Sequence, residues 1–331
     1  MLVRPRIFAH VTAAVFAFCV ASLSAPVIAQ TISKPARILV GFAPGGSVDI
    51  FARLIAEKIR GEYAPNLVVE NRPGAGGQLA VEALKNSVPD GSTMLLTSPG
   101  VMVINPHIDR KLSYDPLRDF APVTTITESF FALAIGNRVP ASVRNMADFI
   151  RWCRENPKEA AYGSPGPGTP PHFLGMMLSK AAGVELTHVP YKGMAPLVQD
   201  IIGGQIAAGI VSIGDAIVHA KDPKMRSIAT TASARSRFLP DVPTAREVGY
   251  DVLEYGEWMG FFVPAGTPPE LTEKLNAAIR GTLQAPDVVN VFAQRGLEIR
   301  TMSPTEFNAV VRSDYARWGS IVKTSGFRPD Q

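Results

Sequence analysis

The sequence is short of cysteine, of long apolar runs and of charge of one sign, and each shortage removes a class of protein. Its two cysteines are Cys19 and Cys153. Cys19 lies in an apolar N-terminal stretch, so once that stretch is removed no intrachain disulfide is possible. Phe16-Ala17-Phe18 lacks the small residues of a lipoprotein processing site, which argues against a lipid anchor. Cys153 sits in the helical pattern Ala147–Cys153 and reads as a small buried apolar residue rather than a nucleophile. After residue 29 no segment is long and apolar enough to span a bilayer. Without Arg4 and Arg6 the chain carries 31 Lys and Arg against 29 Asp and Glu, a balance of +2. With no basic run and no interleaved aromatic stripe, a nucleic-acid partner is not expected.

Signatures of chemistry are equally sparse. His107, His172, His188 and His219 show no metal-ligand spacing, so neither a metal nor a cofactor is expected. Ser98 and Ser164 are not in nucleophile elbows, because Leu96 and Tyr162 stand where the leading glycine would be. Gly41 to Ser47 has glycines spaced as in a phosphate loop but no Lys before Ser47. No strict G-x-G-x-x-G opens a helix with an acid about twenty residues on. A nucleotide is therefore disfavoured, and a hydrolase lacks its nucleophile–base pair, so the chain is not read as an enzyme.

What is present starts with an export leader. Arg4 and Arg6 precede an apolar stretch from Ile7 to Leu23, and Val27-Ile28-Ala29 has small residues where a signal peptidase needs them. Residues 1–29 are thus expected to be a signal peptide, Gln30 to start the mature chain, and the protein to be periplasmic and soluble. The remaining roughly 300 residues exceed what one core usually supports. They alternate apolar strands with amphipathic helices, as in helix-covered parallel sheets. Two β-type runs, Pro122–Gly136 and Gly256–Val263, are long enough to cross between lobes. The expected fold is α/β: two lobes, each a mixed, mostly parallel sheet flanked by helices, joined by a two-strand hinge. Residues 30–127 with 256–331 form lobe 1, and 128–255 form lobe 2. The many prolines, 28 in all, punctuate these elements.

Three glycine-rich loops lead from a strand into a helix: Pro44–Ser47, Arg72–Gly77 and Gly163–Thr169. Each places several backbone N–H groups at a helix start, where unpaired amides and the positive dipole end attract an anion. Each is also a tight turn that needs glycine for its backbone alone. A carboxylate asks for fewer donors than a phosphate and fits better. His172 is either a helix-start residue bonded to backbone or a donor to an anion. Tyr191 offers either a hydroxyl and an aromatic wall or simple packing, and Asp49 either complements the helix dipole or accepts from the ligand or a water.

These segments resemble the Bug/TctC family, the periplasmic binding proteins of tripartite tricarboxylate transporters. The resemblance rests on Phe42-Ala43-Pro44-Gly45-Gly46-Ser47-Val48-Asp49, Val69–Gly77, Pro89-Asp90-Gly91, Ile104-Asn105-Pro106, Tyr191-Lys192-Gly193, Gly203-Gly204-Gln205 and Asp241-Val242-Pro243-Thr244, in that order. It implies a type II periplasmic-binding-protein fold, capture of a small carboxylate between the lobes, partly through ordered water, and delivery to one large and one small integral-membrane subunit. Carried over, the ligand contacts are Phe42, Gly45, Gly46, Ser47 and Asp49 in one lobe. Across the cleft they are Ser164, Gly166, Gly168, Thr169 and His172, and Ser98, Tyr191 and Asp215 complete the candidates. Departures at Thr97–Val101, Met176, Met194 and Val211–Asp215 point to a more apolar distal pocket. A dicarboxylate, tricarboxylate or aromatic acid all fit, and a monomer is expected. Ligand sensing for a kinase is the alternative output.

Overall fold

A computed structural model describes residues 32–109 and 111–327. The leader reading, with Cys19 and Gln30, lies outside them. Two sheets share the chain. The first has the order β11 (Glu298–Ile299), β4 (Phe120–Ser129), β10 (Glu257–Pro264), β3 (Thr93–Thr97), β1 (Ala36–Val40), β2 (Leu67–Asn71), and the second the order β7 (Thr187–Pro190), β6 (Ala161–Ser164), β8 (Ala208–Ser212), β5 (Phe131–Gly136), β9 (Met225–Thr230).

The first sheet is built around β1 (Ala36–Val40), paired in parallel with both β2 (Leu67–Asn71) and β3 (Thr93–Thr97). Ile38, Leu39 and Val40 have no exposed surface, because helices cover both faces, and a strand buried on both faces reads as an unbroken apolar run. Helix α1 (Ser47–Ile59) buries Phe51, Ala52, Ile55, Ala56 and Ile59 on one face, as the 3.6-residue period requires. Helix α2 (Gln78–Lys85) follows β2. After β3 comes a π-helical turn, Gly100–Ile104, leading into the short α3 (Asn105–Ile108). Neither was expected, since a buried Val101-Met102-Val103-Ile104 looks like strand by composition.

The chain leaves this sheet along β4 (Phe120–Ser129) and enters the second as β5 (Phe131–Gly136), breaking at Phe130. The second lobe holds α4 (Met146–Glu155), β6 (Ala161–Ser164), α5 (Pro170–Ala182), β7 (Thr187–Pro190) and α6 (Met194–Ile202), then β8 (Ala208–Ser212), α7 (Ile213–Val218) and β9 (Met225–Thr230). The chain returns by β10 (Glu257–Pro264) to α8 (Pro269–Thr282), α9 (Pro286–Ala293), β11 (Glu298–Ile299) and α10 (Pro304–Ser325). Strands β1–β3 and β6–β8 pair in parallel, whereas the crossing strands β4, β5 and β10 pair antiparallel with their neighbours, which makes both sheets mixed.

Thr231 clasps the two crossings. Its hydroxyl donates to Tyr255 O at 2.7 Å and accepts from Phe131 N at 3.0 Å, while its backbone pairs with Phe131 and Tyr255. On one side of the molecule the core is continuous between lobes, from Leu39 and Leu95 through Phe173 to Trp318. On the other side each lobe keeps its own cluster, around Phe51 and Phe292 in the first and Leu197 and Ile201 in the second. Among the described residues no helix is long and apolar enough to cross a membrane. Cys153 is buried, and burial pushes its thiol up to about 12, as suits a packing residue.

Candidate functional site

Parallel pairing of β1, β2 and β3 puts the loops that follow them on one carboxyl edge, and pairing of β6 with β7 and β8 does the same in the second lobe. In the first lobe the loops after β1 and β2 touch backbone to backbone. A Cβ on Gly41 would lie 2.7 Å from Gly77 Cα, so a side chain there could not be added without separating the loops. Phe42, Gly45, Gly46 and Ser47 are exposed on this edge. Ser98 is half-buried between β3 and the π turn.

Asp49 is the knot behind the first loop. It is 3 % exposed. Its carboxylate accepts from Gly45 N at 2.9 Å, Arg53 Nε at 3.0 Å and Asn71 Nδ2 at 2.8 Å, and pairs with Arg53 Nη2 at 2.9 Å. Asn71 also donates to Phe42 O at 3.1 Å, which ties the loop to the end of β2. Burial pushes the Asp49 carboxyl up, but the bonds from Arg53, Gly45 and Asn71 outweigh it and hold the group at about 2. Its oxygens therefore face protein donors, and its charge is matched by Arg53. The amides of Gly46, Ser47, Val48 and Asp49 find no protein acceptor among the described residues, and no side chain caps the helix. Four orphan donors and the positive dipole end of a 13-residue helix lie at this edge.

The loop of the second lobe is poorer in donors than its glycines suggest. Pro170 and Pro171 occupy the first helical positions of α5 and carry no N–H. Gly168 N donates to His172 Nδ1 at 3.2 Å, and Gly166 N reaches Ser164 Oγ at 3.4 Å. The amides of Thr169 and His172 remain. His172 is thus a helix-start residue bonded to backbone. Burial first, and the neighbouring His188 second, lower it to about 4, so the ring is neutral at physiological pH.

Several candidates turn their polar atoms inward. Ser164 has no exposed surface; its hydroxyl donates to Gly166 O at 3.0 Å and lies 2.8 Å from His188 Nε2. Tyr191 donates to Asp200 at 2.9 Å, and its ring covers Gly163. Asp215 bonds the Ser212 hydroxyl, while its amide donates back to Ser212 Oγ at 3.1 Å, closing the start of α7. Thr169 Oγ1 donates to Gly166 O at 2.7 Å. Contact between the two edges runs through Gly168, where a Cβ would stand 3.4 Å from Ile108 Cδ1. Asp215 stands apart, on the helix whose Gly214 faces the Arg295 carbonyl. Sequence reasoning gave no role to Arg53, Asn71, His188 or Phe327. Only the first had a local signal, its i,i+4 spacing from Asp49.

Two mixed sheets joined by two crossing strands, with helix-start loops gathered on the carboxyl edge of each, are the architecture of a two-lobed solute-binding protein. The pattern of the tripartite tricarboxylate transporter family receptor, TctC, matches residues 51–327, and the chain belongs to this family. Protein BugT of Bordetella pertussis is 30% identical over 308 residues, covering 92% of this chain and 94% of that protein. The structure of Rhodopseudomonas palustris Rpa4515 with adipate superposes with a TM-score of 0.74 at 30% identity, covering 88% of this chain and 97% of that one. MatC (Rpa3494) from Rhodopseudomonas palustris with bound malate gives a TM-score of 0.70 at 29% identity, covering 90% of this chain and 100% of that one. Members of this family are binding proteins, not enzymes.

Proposed function

We propose that this chain captures a small organic acid, a di- or tricarboxylate or an aromatic acid, between its lobes and hands it to the integral-membrane subunits of a tripartite transporter. The observation that carries this is the start of α1: four unpaired amides on an exposed edge, with Asp49 of that turn already paired with Arg53. An anion there meets donors and a helix dipole without a repelling charge. No lysine reaches the loop, so a carboxylate suits it better than a phosphate. Adipate and malate in the two structural relatives support that class.

On this reading the ligand meets the amides around Gly45, Gly46 and Ser47 with Phe42 and Ser98 as walls, and the amides of Thr169 and His172 across the cleft, in a loop that Gly166 and Gly168 shape. Asp49, Ser164 and Tyr191 hold those loops in shape, while Asp215 closes the start of α7. Residues 1–29 are the leader that exports the chain to the periplasm. Residues 30–127 with 256–331, and 128–255, are the two lobes that close on the ligand. The protein acts as a monomer, which leaves both lobes free to meet the transporter.

Ligand binding adds stability as RT ln(1 + [L]/Kd), so a thermal-shift panel of succinate, adipate, malate, citrate and benzoate reads it directly. Absence of any shift at millimolar concentration would sink the proposal. Gly46→Val isolates the loop. The Gly46 backbone is extended, and a Cβ would come no nearer than 3.6 Å to Ala43 O. The variant should therefore fold while its isopropyl group covers the amides. Affinity should fall at least about tenfold, and unchanged affinity removes this loop from the site.

A further inference from the structure

Helix α10 belongs by its packing to the first lobe. Phe307 meets Trp258 edge-on at 5.0 Å, His107 Nε2 lies 2.8 Å from Tyr315 O, and Trp258 Nε1 donates to Asp314 at 2.9 Å. Its far end reaches the second lobe. Trp318 meets Phe173 of α5 at 5.5 Å. Phe327, just past the helix, stands edge-on to His172 at 5.3 Å and 73°, and to Phe173 at 5.5 Å and 81°.

The His172 ring is therefore held from two sides. Phe327 takes one side, and the His188 ring, 4.0 Å away and nearly parallel, takes the other. The His172 ring supplies the acceptor for Gly168 N. Gly168 sits at a φ of +74°, and a Cβ there would lie 3.5 Å from the Phe327 ring, so Phe327 also covers the loop itself. A glycine in the left-handed region has little conformational preference of its own and depends on such braces. A freed imidazole would turn about χ2 and take its Nδ1 away from the Gly168 amide.

We propose that Phe327 is a positioning residue for the anion loop of the second lobe. Carried by the first lobe, it fixes the His172 ring, and through the Gly168 bond it fixes the direction of the Thr169 and His172 amides. One half of the carboxylate grip is thus set by a residue that the other lobe supplies, so the loop is shaped for the ligand only while the lobes stand in this relation. The inference rests on the carboxylate reading, and its test separates the two.

Amide hydrogen exchange on the ligand-free protein comes first. Phe327→Ala should speed exchange at Gly168 roughly tenfold, the worth of an aromatic edge contact and the bond behind it. Phe327→Leu, which keeps an apolar cover, should stay within about threefold of wild type. Equal exchange at Gly168 in the alanine variant and wild type overturns the proposal whether or not a ligand is found. Calorimetry with adipate and malate follows. The alanine variant should bind roughly tenfold more weakly and the leucine variant should recover most of that loss. Wild-type binding with no loss in the alanine variant overturns the role of Phe327 and leaves the carboxylate reading intact. Absence of wild-type binding to either acid counts against that reading, and the exchange result still decides Phe327.

Discussion

Asp49 shows how one residue can serve a binding loop without offering it a contact. A bare carboxylate beside the first turn of α1 would complement the helix dipole but compete with any anion for the same amides. Here Arg53 and Asn71 take up its charge, and Gly45 N takes the remaining reach. Asp49→Asn keeps the shape, weakens the Arg53 bond and frees Gly45. Carboxylate affinity should drop about tenfold and stability by about 1–2 kcal/mol, because charge-assisted bonds are worth roughly twice neutral ones and Arg53 is not stranded in the core. The pH dependence has a definite sign. The folded group sits at about 2, below its ordinary 3.8, so its stabilising effect is complete above about 4 and is lost as pH falls toward 2. Thermal unfolding of both proteins between pH 2 and 7 checks this. The gap between them should be constant from pH 5 upward and close at the acid end, and a gap that widens toward pH 2 refutes the assignment.

At the scale of elements, what could be read from sequence was local and what could not was long-range. Glycine runs at strand ends announced the loops, and the alternation of apolar strands with amphipathic helices announced the layers, because both signals sit within a few residues. The two prolines after Thr169 also stood in plain view, and they remove two N–H groups from the helix start behind the loop. Ser164 could not be seen to turn toward His188, because the parallel register pairing Tyr162 with His188 is set by the whole sheet. Phe327 meets His172 only through tertiary packing, at the far end of α10. Contact between the loops after β1 and β2 is of the same kind, and Gly41→Ala tests it. Gly41 has an ordinary negative φ, so the cost is purely steric: its new Cβ would lie 2.7 Å from Gly77 Cα. Loop separation should cost about 1–3 kcal/mol, as overpacking does, and should abolish carboxylate binding. A variant with wild-type melting and affinity would mean the two loops are not packed together.

For the whole molecule the hinge decides how stability responds to pH. Cavities of about 250 and 360 Å³ flank the crossing strands and share Glu128, Phe130, Ser233 and Arg300. Most acids here have partners: Glu128 pairs with Arg300, Glu254 with Arg246, and Asp314 accepts from Trp258. Glu257, the first residue of β10, is the exception among the described residues. Its carbonyl accepts from Ser129 Oγ at 3.3 Å, but its carboxylate enters no hydrogen bond or ion pair. Burial alone pushes it up to about 7 from an ordinary 4.5. Between those values the folded chain binds more protons at this site than the unfolded chain, so stability falls as pH rises. The penalty is absent below about 4.5 and complete above about 7, opposite in sign to that of Asp49. Glu257→Gln removes it. The variant should match wild type at pH 4.5 and exceed it by about 1–2 kcal/mol at pH 8, a discount on the full shift for the solvent that still reaches this half-buried group. Because Glu257 lies where the two lobes join, the same titration should loosen the hinge at neutral pH. Hydrogen exchange at Phe131 and Tyr255, the amides clasped by Thr231, should rise from pH 5 to 8 in wild type beyond the intrinsic base-catalysed increase. It should follow only that intrinsic increase in Glu257→Gln, and identical exchange profiles in the two proteins would show that Glu257 has no part in the hinge.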